Sequence, residues 1–349
     1  MRKSGVFFIN AALLLTFAFI GSKGRKENYV YASADTEKKS VYIGGMSAGF
    51  TLKGGGVQII GLCDVMTSEG AQKPASSAGL RVGDRIIKAC GIKIDSIVEL
   101  NEIVNKKQGG NVELEIERCN DIMSIVVRPV KDKGTNCYKM GILVRDSVSG
   151  IGTITYIEKK SGKFGALGHS VMDEHKKELG ISNGDVYECN IIGVCKGVRG
   201  RAGELRGLFL SDKNFGNAQK LCNCGIFGFV NKEIHLDNTM MTVADSTHAK
   251  PGAAYIYSTI DGICPKKYDI EIVKVDRFSH DNKDYVIKIT DETLLEVTGG
   301  LVQGLSGSPI IQEGKMIGAV THVFLNDPTR GYAINIETML KESEELRQT

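Results

Sequence analysis

The sequence predicts a mainly β protein of two domains, a small α+β domain followed by a larger β-barrel domain. The chain has 349 residues, enough for two separate cores after an N-terminal targeting segment. Glycine is abundant at 42 residues, whereas proline is scarce and tryptophan is absent, which is typical of turn-rich β structure. Short apolar runs of strand length alternate with glycine-containing turns along most of the chain.

Charge and cysteine content exclude several classes of function. The formal net charge is +3, with acidic and basic residues mixed along the chain, so there is no basic stripe for nucleic acid. The nine cysteines are odd in number and too scattered for a small disulfide scaffold. Cys222-Asn223-Cys224 is the one close pair, and it lacks a second pair or a suitably spaced histidine. We therefore predict no metal site.

The N-terminus carries an export signal. Arg2 and Lys3 precede an apolar run over residues 6–20. A bilayer span needs about 20 residues, so this run fits a signal peptide or a short membrane anchor within residues 1–26. A buried helix of the folded domain is the alternative. Residues 27–45 are polar and without helical or strand periodicity, which predicts a linker.

Residues 46–130 alternate short strands, glycine turns and one helix. Val57–Gly61 and Asn111–Glu117 have strand patterns, and apolar residues at 97, 100, 103 and 104 have helical spacing. The stretch Ala75–Ile87, which contains Val82-Gly83-Asp84, predicts a short helical turn and a Gly-Asp turn before another strand. This order and these residues resemble a bacterial PDZ domain.

The PDZ resemblance implies a peptide-binding role for this domain. PDZ domains add an extended peptide to a sheet edge and bind its terminal carboxylate through backbone N–H groups. Gly54, Gly55, Gly56 and Val57 are the sequence candidates for that loop, with a peptide chain end or a self segment as the ligand. A glycine turn without a ligand is the alternative.

The stretch Gly304-Leu305-Ser306-Gly307-Ser308-Pro309, within residues 131–349, carries the strongest chemical signal. Its G-x-S-G pattern is similar to the nucleophile loop of chymotrypsin-like peptidases, with Ser306 attacking and the Gly304 and Ser306 amides as oxyanion donors. A plain turn between strands is the alternative. Ser308 is the weaker nucleophile candidate because Pro309 supplies no backbone donor.

Only six histidines could serve as the base for Ser306. His169 lies among small residues, 137 residues upstream of Ser306, in the order and on the rough scale of chymotrypsin-like enzymes. His322 lies in an apolar run, and we interpret it as a structural strand residue.

Several segments together resemble the sporulation stage IV B peptidase (SpoIVB) family of PDZ-containing serine peptidases. They are Gly165-Ala166-Leu167-Gly168-His169-Ser170, the Ser306 loop, the PDZ-like domain, Gly318–Phe324 and Asn326–Tyr332. The resemblance implies a chymotrypsin-like serine endopeptidase without a cofactor, and a triad of His169, Asp291 and Ser306.

Asp291 is the least secure member of that triad. It lies 15 residues before Ser306, whereas the acid of chymotrypsin-like folds usually lies farther upstream. Asp291 could equally be the N-cap of a short helix with Glu292 in its first turn. The other candidate acids are Asp173, Asp185, Asp237 and Asp245.

The resemblance also implies a biological role. It places the protein in the space between the membranes around the forespore, with residues 6–20 as a cleaved signal or a membrane anchor. It implies cleavage of a membrane-associated regulator that activates late mother-cell gene expression, and self-cleavage within residues 27–45. The alternative is a non-catalytic PDZ scaffold of the forespore envelope. A serine esterase is disfavoured because no G-x-S-x-G elbow is present.

Overall fold

The structure is a computed structural model that describes residues 39–171, 183–231, 239–279 and 281–347. The apolar run at 6–20 and the linker up to residue 38 lie outside the described residues, as do Asp173 and Asp237. In the described part of the chain, no helix is long and apolar enough to cross a membrane.

The first twelve elements cover residues 40–139. They are β1 Ser40–Ile43, β2 Ser47–Leu62, β3 Val65–Thr67, β4 Gly70–Gln72, α1 Pro74–Ala78, β5 Arg85–Ala89, β6 Ile92–Lys93, α2 Ile97–Lys106, β7 Val112–Arg118, β8 Asp121–Val127, β9 Val130–Lys131 and β10 Tyr138–Lys139.

The remaining elements are nearly all strands. They are β11 Ile142–Ile157, β12 Lys163–Ala166, β13 Asn183–Cys195, β14 Gly203–Cys222, β15 Gly225–Val230, β16 Met240–Val243, β17 Gly252–Ser258, β18 Lys266–Val275, β19 Tyr285–Ile289, α3 Glu292–Thr298, β20 Val302–Gln303, β21 Pro309–Gln312, β22 Lys315–Phe324, β23 Asp327–Asn335 and α4 Ile336–Glu344.

Six antiparallel strands close a first barrel. The order is β11, β12, β15, β14, β13 and β2, and β2 pairs again with β11. Phe50, Ile154, Phe164 and Phe215 are buried in its interior. Because a closed barrel leaves no unpaired edge, these strands can alternate apolar residues inward and polar residues outward around the whole circumference.

Six further antiparallel strands close a second barrel. The order is β22, β21, β17, β18, β19 and β23, and β23 pairs again with β22. Ile256, Ile270, Ile287 and Ile310 are buried in its core. The mainly β class and the β-barrel architecture predicted from the sequence are therefore confirmed.

The small α+β unit is inserted between two neighbouring strands of the first barrel, whereas the sequence predicted that it precedes the barrel. The first half of β2 and the second half of β11 are neighbouring barrel strands, and they converge at the Lys53↔Ser147 pair. Residues 54–146, here called the small unit, connect these two positions. The sequence placed a boundary at residue 46, because the two 16-residue strands read as separate short runs.

Residues 40–43, which the sequence analysis assigned to the linker, form β1. Tyr42 pairs with Ile157 of β11, and Ser40 pairs with Thr242 of β16. β1 thus connects strands of the first barrel to β16, which itself pairs with β22.

The small unit has its own apolar core. Helix α2 begins at Ser96, whose hydroxyl accepts from the Glu99 N–H, and it buries Leu100 and Val104 against the strands. The Gly-Asp turn seen in the sequence is explained by Asp84, which is buried and accepts two hydrogen bonds from the Arg118 guanidinium, at 2.6 and 2.7 Å.

Candidate active site

The loop between β20 and β21 adopts a backbone that requires glycine at two positions. Gly304 has φ +102° and Gly307 has φ +94°. A Cβ atom at Gly307 would lie 2.1 Å from the Thr153 carbonyl oxygen. The G-x-S-G pattern therefore has a local physical cause on both sides of Ser306.

Two buried threonines of β11 hold this loop from the first barrel. The Thr153 hydroxyl donates to the Gly304 carbonyl at 2.7 Å, and the Thr153 N–H donates to the Ser306 carbonyl at 3.0 Å. The Thr155 hydroxyl donates to the Gly307 carbonyl at 2.8 Å. These bonds fix the carbonyl oxygens of Gly304, Ser306 and Gly307, and with them the backbone of the loop around the nucleophile.

The candidate oxyanion donors are the Gly304 and Ser306 N–H groups. Among the turn and loop backbone hydrogen bonds of the described residues, neither N–H is a donor. Backbone donors held in place in this way stabilise a developing oxyanion without reorganisation.

The two serines of the loop differ in access. The Ser306 hydroxyl is half-buried, and it donates to the Thr321 carbonyl at 2.6 Å. Ser308 is fully buried, and its hydroxyl donates to the Leu305 carbonyl at 2.6 Å and lies 3.0 Å from the Ser258 hydroxyl. Ser306 is thus the serine that a substrate could reach, and Ser308 supports the turn.

His169 follows β12 after a tight turn. Leu167 and Gly168 both lie in the left-handed region, at φ 68° and 72°, which is a strained conformation for a leucine. The His169 Nδ1–H donates to the Ser170 carbonyl at 2.7 Å, which leaves Nε2 as the basic nitrogen. Burial lowers the pKa of His169, so the imidazole is neutral near pH 7.

His322, which the sequence analysis interpreted as structural, belongs to the site. Its ring centroid lies 4.7 Å from that of His169. Burial, and then the charge of His169, lowers the pKa of His322 to about 4. No local signal in the sequence predicts this pairing, because it depends on β22 of the second barrel facing the turn after β12 of the first.

Two cavities flank Ser306 and His169. One has a volume of about 430 Å³ and is walled mainly by apolar residues of the first barrel, including Phe50, Val148 and Ile226. The other has a volume of about 240 Å³, and its walls come from the segments on either side of Ser306, at 301–303 and 320–325. Ser306, His169 and His322 line both cavities.

Asp291 lies elsewhere. Its carboxylate caps α3 by accepting from the Leu294 N–H at 2.9 Å, and it also accepts from the Asp269 N–H at 3.4 Å. It lines a separate cavity with Tyr268. The structure thus brings Ser306 and His169 together, but it does not bring Asp291 to them.

Of the alternative acids, the two that the structure describes, Asp185 and Asp245, have other hydrogen-bond partners. Asp185 accepts a hydrogen bond from Asn217, and Asp245 accepts hydrogen bonds from Thr247. Within the described residues, the His169 ring has no carboxylate as a hydrogen-bond partner.

The candidate carboxylate loop of the small unit lies in the middle of β2. Gly55 and Gly56 have positive φ values of 57° and 142°, and the cavity beside them is only about 20 Å³, roughly the space of one water. The strand edge that follows pairs with the chain's own residues 142–145, from Leu62↔Ile142 to Gln58↔Arg145. This edge is therefore paired within the chain.

Two closed barrels, with a serine and a neutral histidine in one cleft, define a chymotrypsin-like serine peptidase. The family model described as SpoIVB peptidase S55 matches residues 136–340, which is more than half of the chain. The chain belongs to the SpoIVB peptidase family.

Solved structures of the Rv3671c protease from M. tuberculosis are also similar to the chain. The active form is 14% identical over 58% of this chain and 77% of that chain, with a TM-score of 0.34. The inactive form is 13% identical over 57% of this chain and 85% of that chain, with a TM-score of 0.31.

Proposed function

We propose that the protein is an exported serine endopeptidase of sporulation that cleaves itself and a membrane-associated regulator. Cleavage of that regulator would signal from the forespore to the mother cell and activate a late sigma factor. The observation that carries the catalytic part is that Ser306 and His169 line the same cleft. The signalling role and the location between the forespore membranes rest on membership of the family.

The proposed reaction is acyl transfer at a peptide bond. Ser306 Oγ rotates from the Thr321 carbonyl toward His169 Nε2, transfers its proton and attacks the substrate carbonyl. The Gly304 and Ser306 N–H groups bind the oxyanion, and His169 then protonates the leaving amine. Ser170 keeps His169 in the tautomer that this step needs, through the bond to Nδ1. The catalytic role of Asp291 remains a prediction from the family resemblance, and its place at the N-cap of α3 gives it no support.

The cavities on both sides of the nucleophile support an apolar substrate. We expect extended segments with bulky apolar side chains next to the scissile bond, because burying one such side chain is worth about 1.5–3 kcal/mol. A membrane-associated protein offers segments of this kind.

The small unit is proposed as a PDZ-like peptide-binding unit, with Gly54–Val57 as its loop. Because residues 142–145 pair with the β2 edge, an external chain end would have to displace them. A synthetic peptide of the sequence 139–145 tests this, because its binding to the full chain should be weak. Tight binding that leaves the β2–β11 pairing intact would place peptide binding elsewhere.

The deciding experiment compares the wild type with Ser306→Ala. We expect Ser306→Ala to lose self-processing and turnover by a factor on the order of 10⁶. Ser308→Ala is the matched control, because it removes a serine hydroxyl from the same loop but not the nucleophile. N-terminal mass spectrometry of both variants and of envelope proteins gives the cut sites. Identical processing by the wild type and Ser306→Ala would instead favour the non-catalytic PDZ scaffold.

A further inference from the structure

A cluster of two thiols and a carboxylate lies outside the catalytic cleft. Cys222 ends β14 and Cys224 precedes β15 at a hairpin tip, and Glu342 lies in the last turn of α4. One ligand atom of each lies within 4.8 Å of the other two. The Cys222 Sγ lies 3.7 Å from the Glu342 Oε2.

The Cys222–Glu342 separation is that of a tetrahedral zinc site. Zinc–sulfur bonds of about 2.3 Å and zinc–oxygen bonds of about 2.1 Å, at tetrahedral angles, put sulfur and oxygen ligands roughly 3.6 Å apart. The Cys222 Sγ and Glu342 Oε2 atoms, 3.7 Å apart, already have this spacing, and the Cys224 thiol lies within 4.8 Å of the other two ligand groups. Cys224 is 3% exposed and packs with Phe227 and Met339 in an apolar cluster, which limits competition from water.

The neighbouring groups also suit a bound cation. The Asn282 side-chain amide donates to Cys224 Sγ at 3.4 Å, as groups around zinc ligands commonly do. The Lys220 ammonium lies 2.7 Å from Glu342 Oε2 and 2.5 Å from Glu345 Oε2, so zinc must displace it from the Glu342 oxygen that it binds. Two thiolates and a carboxylate carry one negative charge more than Zn²⁺ neutralises, and the nearby Lys220 ammonium offsets part of this charge.

We infer that Cys222, Cys224 and Glu342 bind one zinc ion, with water as the fourth ligand and release of the two thiol protons to solvent. The ion connects the β14–β15 hairpin to α4. The next residue, Gly225, has no room for a Cβ atom, which would lie 2.2 Å from the Ala166 carbonyl in the strand before His169. Zinc therefore stabilises the hairpin against which the histidine turn packs.

The sequence analysis predicted no metal here, because a C-x-C pair alone is a weak signal. The third ligand lies far downstream on α4, and only the packing of α4 against the β15 hairpin brings it near. This pairing leaves no spacing pattern in the sequence.

The test uses the full chain with Ser306→Ala, so that its outcome is independent of peptidase activity. The reduced protein, stripped with a chelator, is titrated with Zn²⁺ alone, and bound metal and melting temperature are measured. We expect one zinc per chain, a raised melting temperature, and an X-ray absorption spectrum with two sulfur ligands. Cys222→Ser with Cys224→Ser should abolish binding, and Glu342→Gln should weaken it at least tenfold.

Cys63→Ser with Cys119→Ser is the matched control, because it removes two exposed thiols from the small unit and should leave zinc binding unchanged. Absence of zinc binding in the reduced parent protein would overturn the inference. Equal loss in the control pair, or undiminished binding in Glu342→Gln, would also overturn it. If Cys222 and Cys224 instead form a disulfide, and the protein still binds no metal once that disulfide is reduced, the inference is also overturned.

Discussion

The two loops that meet in the catalytic cleft are held in different ways. The nucleophile loop is held by hydrogen bonds across the barrels, from Thr153 and Thr155. In the histidine turn, the Gly168 N–H donates to the nearby Ala166 carbonyl at 2.9 Å, and the bond from the Leu167 N–H to the Thr153 carbonyl is long at 3.4 Å. The first half of the site is thus fixed by tertiary structure and the second mainly by a strained local turn.

Replacing Gly307 of the nucleophile loop and Gly168 of the histidine turn by alanine should show this difference most clearly. In Gly307→Ala the new Cβ meets the Thr153 carbonyl at 2.1 Å, so we expect about 3 kcal/mol lost from the free energy of unfolding. In Gly168→Ala the nearest atoms are methyl groups at 3.0 Å, so the loss should be about 1–2 kcal/mol. Denaturant unfolding measures both, and an equal loss would contradict the comparison.

Removing one hydroxyl should separate oxyanion geometry from stability. Thr153→Val leaves the Gly304 carbonyl unpaired at a cost of about 1–3 kcal/mol, and we expect kcat to fall roughly 10- to 100-fold. Thr155→Val is the matched control, because it frees the Gly307 carbonyl and leaves the bond to Gly304 in place. Equal kcat values for the two variants would show that Thr153 has no special role at the oxyanion site.

Substitution of Asp291 tests whether a third catalytic residue lies there. From its place as the N-cap of α3, we expect Asp291→Asn to keep kcat within about tenfold, because asparagine caps helices as well as aspartate. Asp291→Ala should cost about 1 kcal/mol of stability. A fall of about 10³ to 10⁴ in kcat for Asp291→Asn would instead establish the triad role implied by the family resemblance.

Lowering the pH should affect activity through His169 and stability through His322. The lowered pKa of His169 predicts that kcat/KM is retained below pH 6.5 and is lost only when this neutral base becomes protonated. His322 has a folded pKa of about 4, below its unfolded value, so the unfolded state binds more protons between pH 6.5 and 4. Stability should therefore decline slightly as pH falls through this window.

His322→Gln tests this second effect, because it removes the titrating group. Unfolding at pH 7 and pH 5 should show a smaller difference for His322→Gln than for the wild type. The change in stability is small because His322 is an exposed residue, where solvent screens its charge. A larger difference in the variant than in the wild type would contradict the lowered pKa of His322 in the folded protein.

The sequence predicted those parts of the site whose signals are local. Glycines at positive φ mark the Ser306 loop, and a glycine precedes His169, because the backbone itself demands that residue. The N-cap alternative for Asp291 is also a local signal, and it describes where the carboxylate lies.

What the sequence could not predict depends on contacts between distant segments. Thr153 lies about 150 residues from the loop that it holds, and a threonine in a strand has no distinctive pattern. The insertion of the small unit was missed for a similar reason. Strands β2 and β11 each continue from the barrel into the unit, so no change of composition marks the boundary.

This insertion also affects chain entropy during folding. An unstructured connection of about 90 residues between Lys53 and Ser147, in place of a two-residue turn, would cost the first barrel roughly 3 kcal/mol of loop closure. The folded small unit removes that cost, because its own β2–β11 pairing already brings its ends together. Formation of the small unit would therefore favour closure of the barrel, and with it the position of Thr153 against the nucleophile loop.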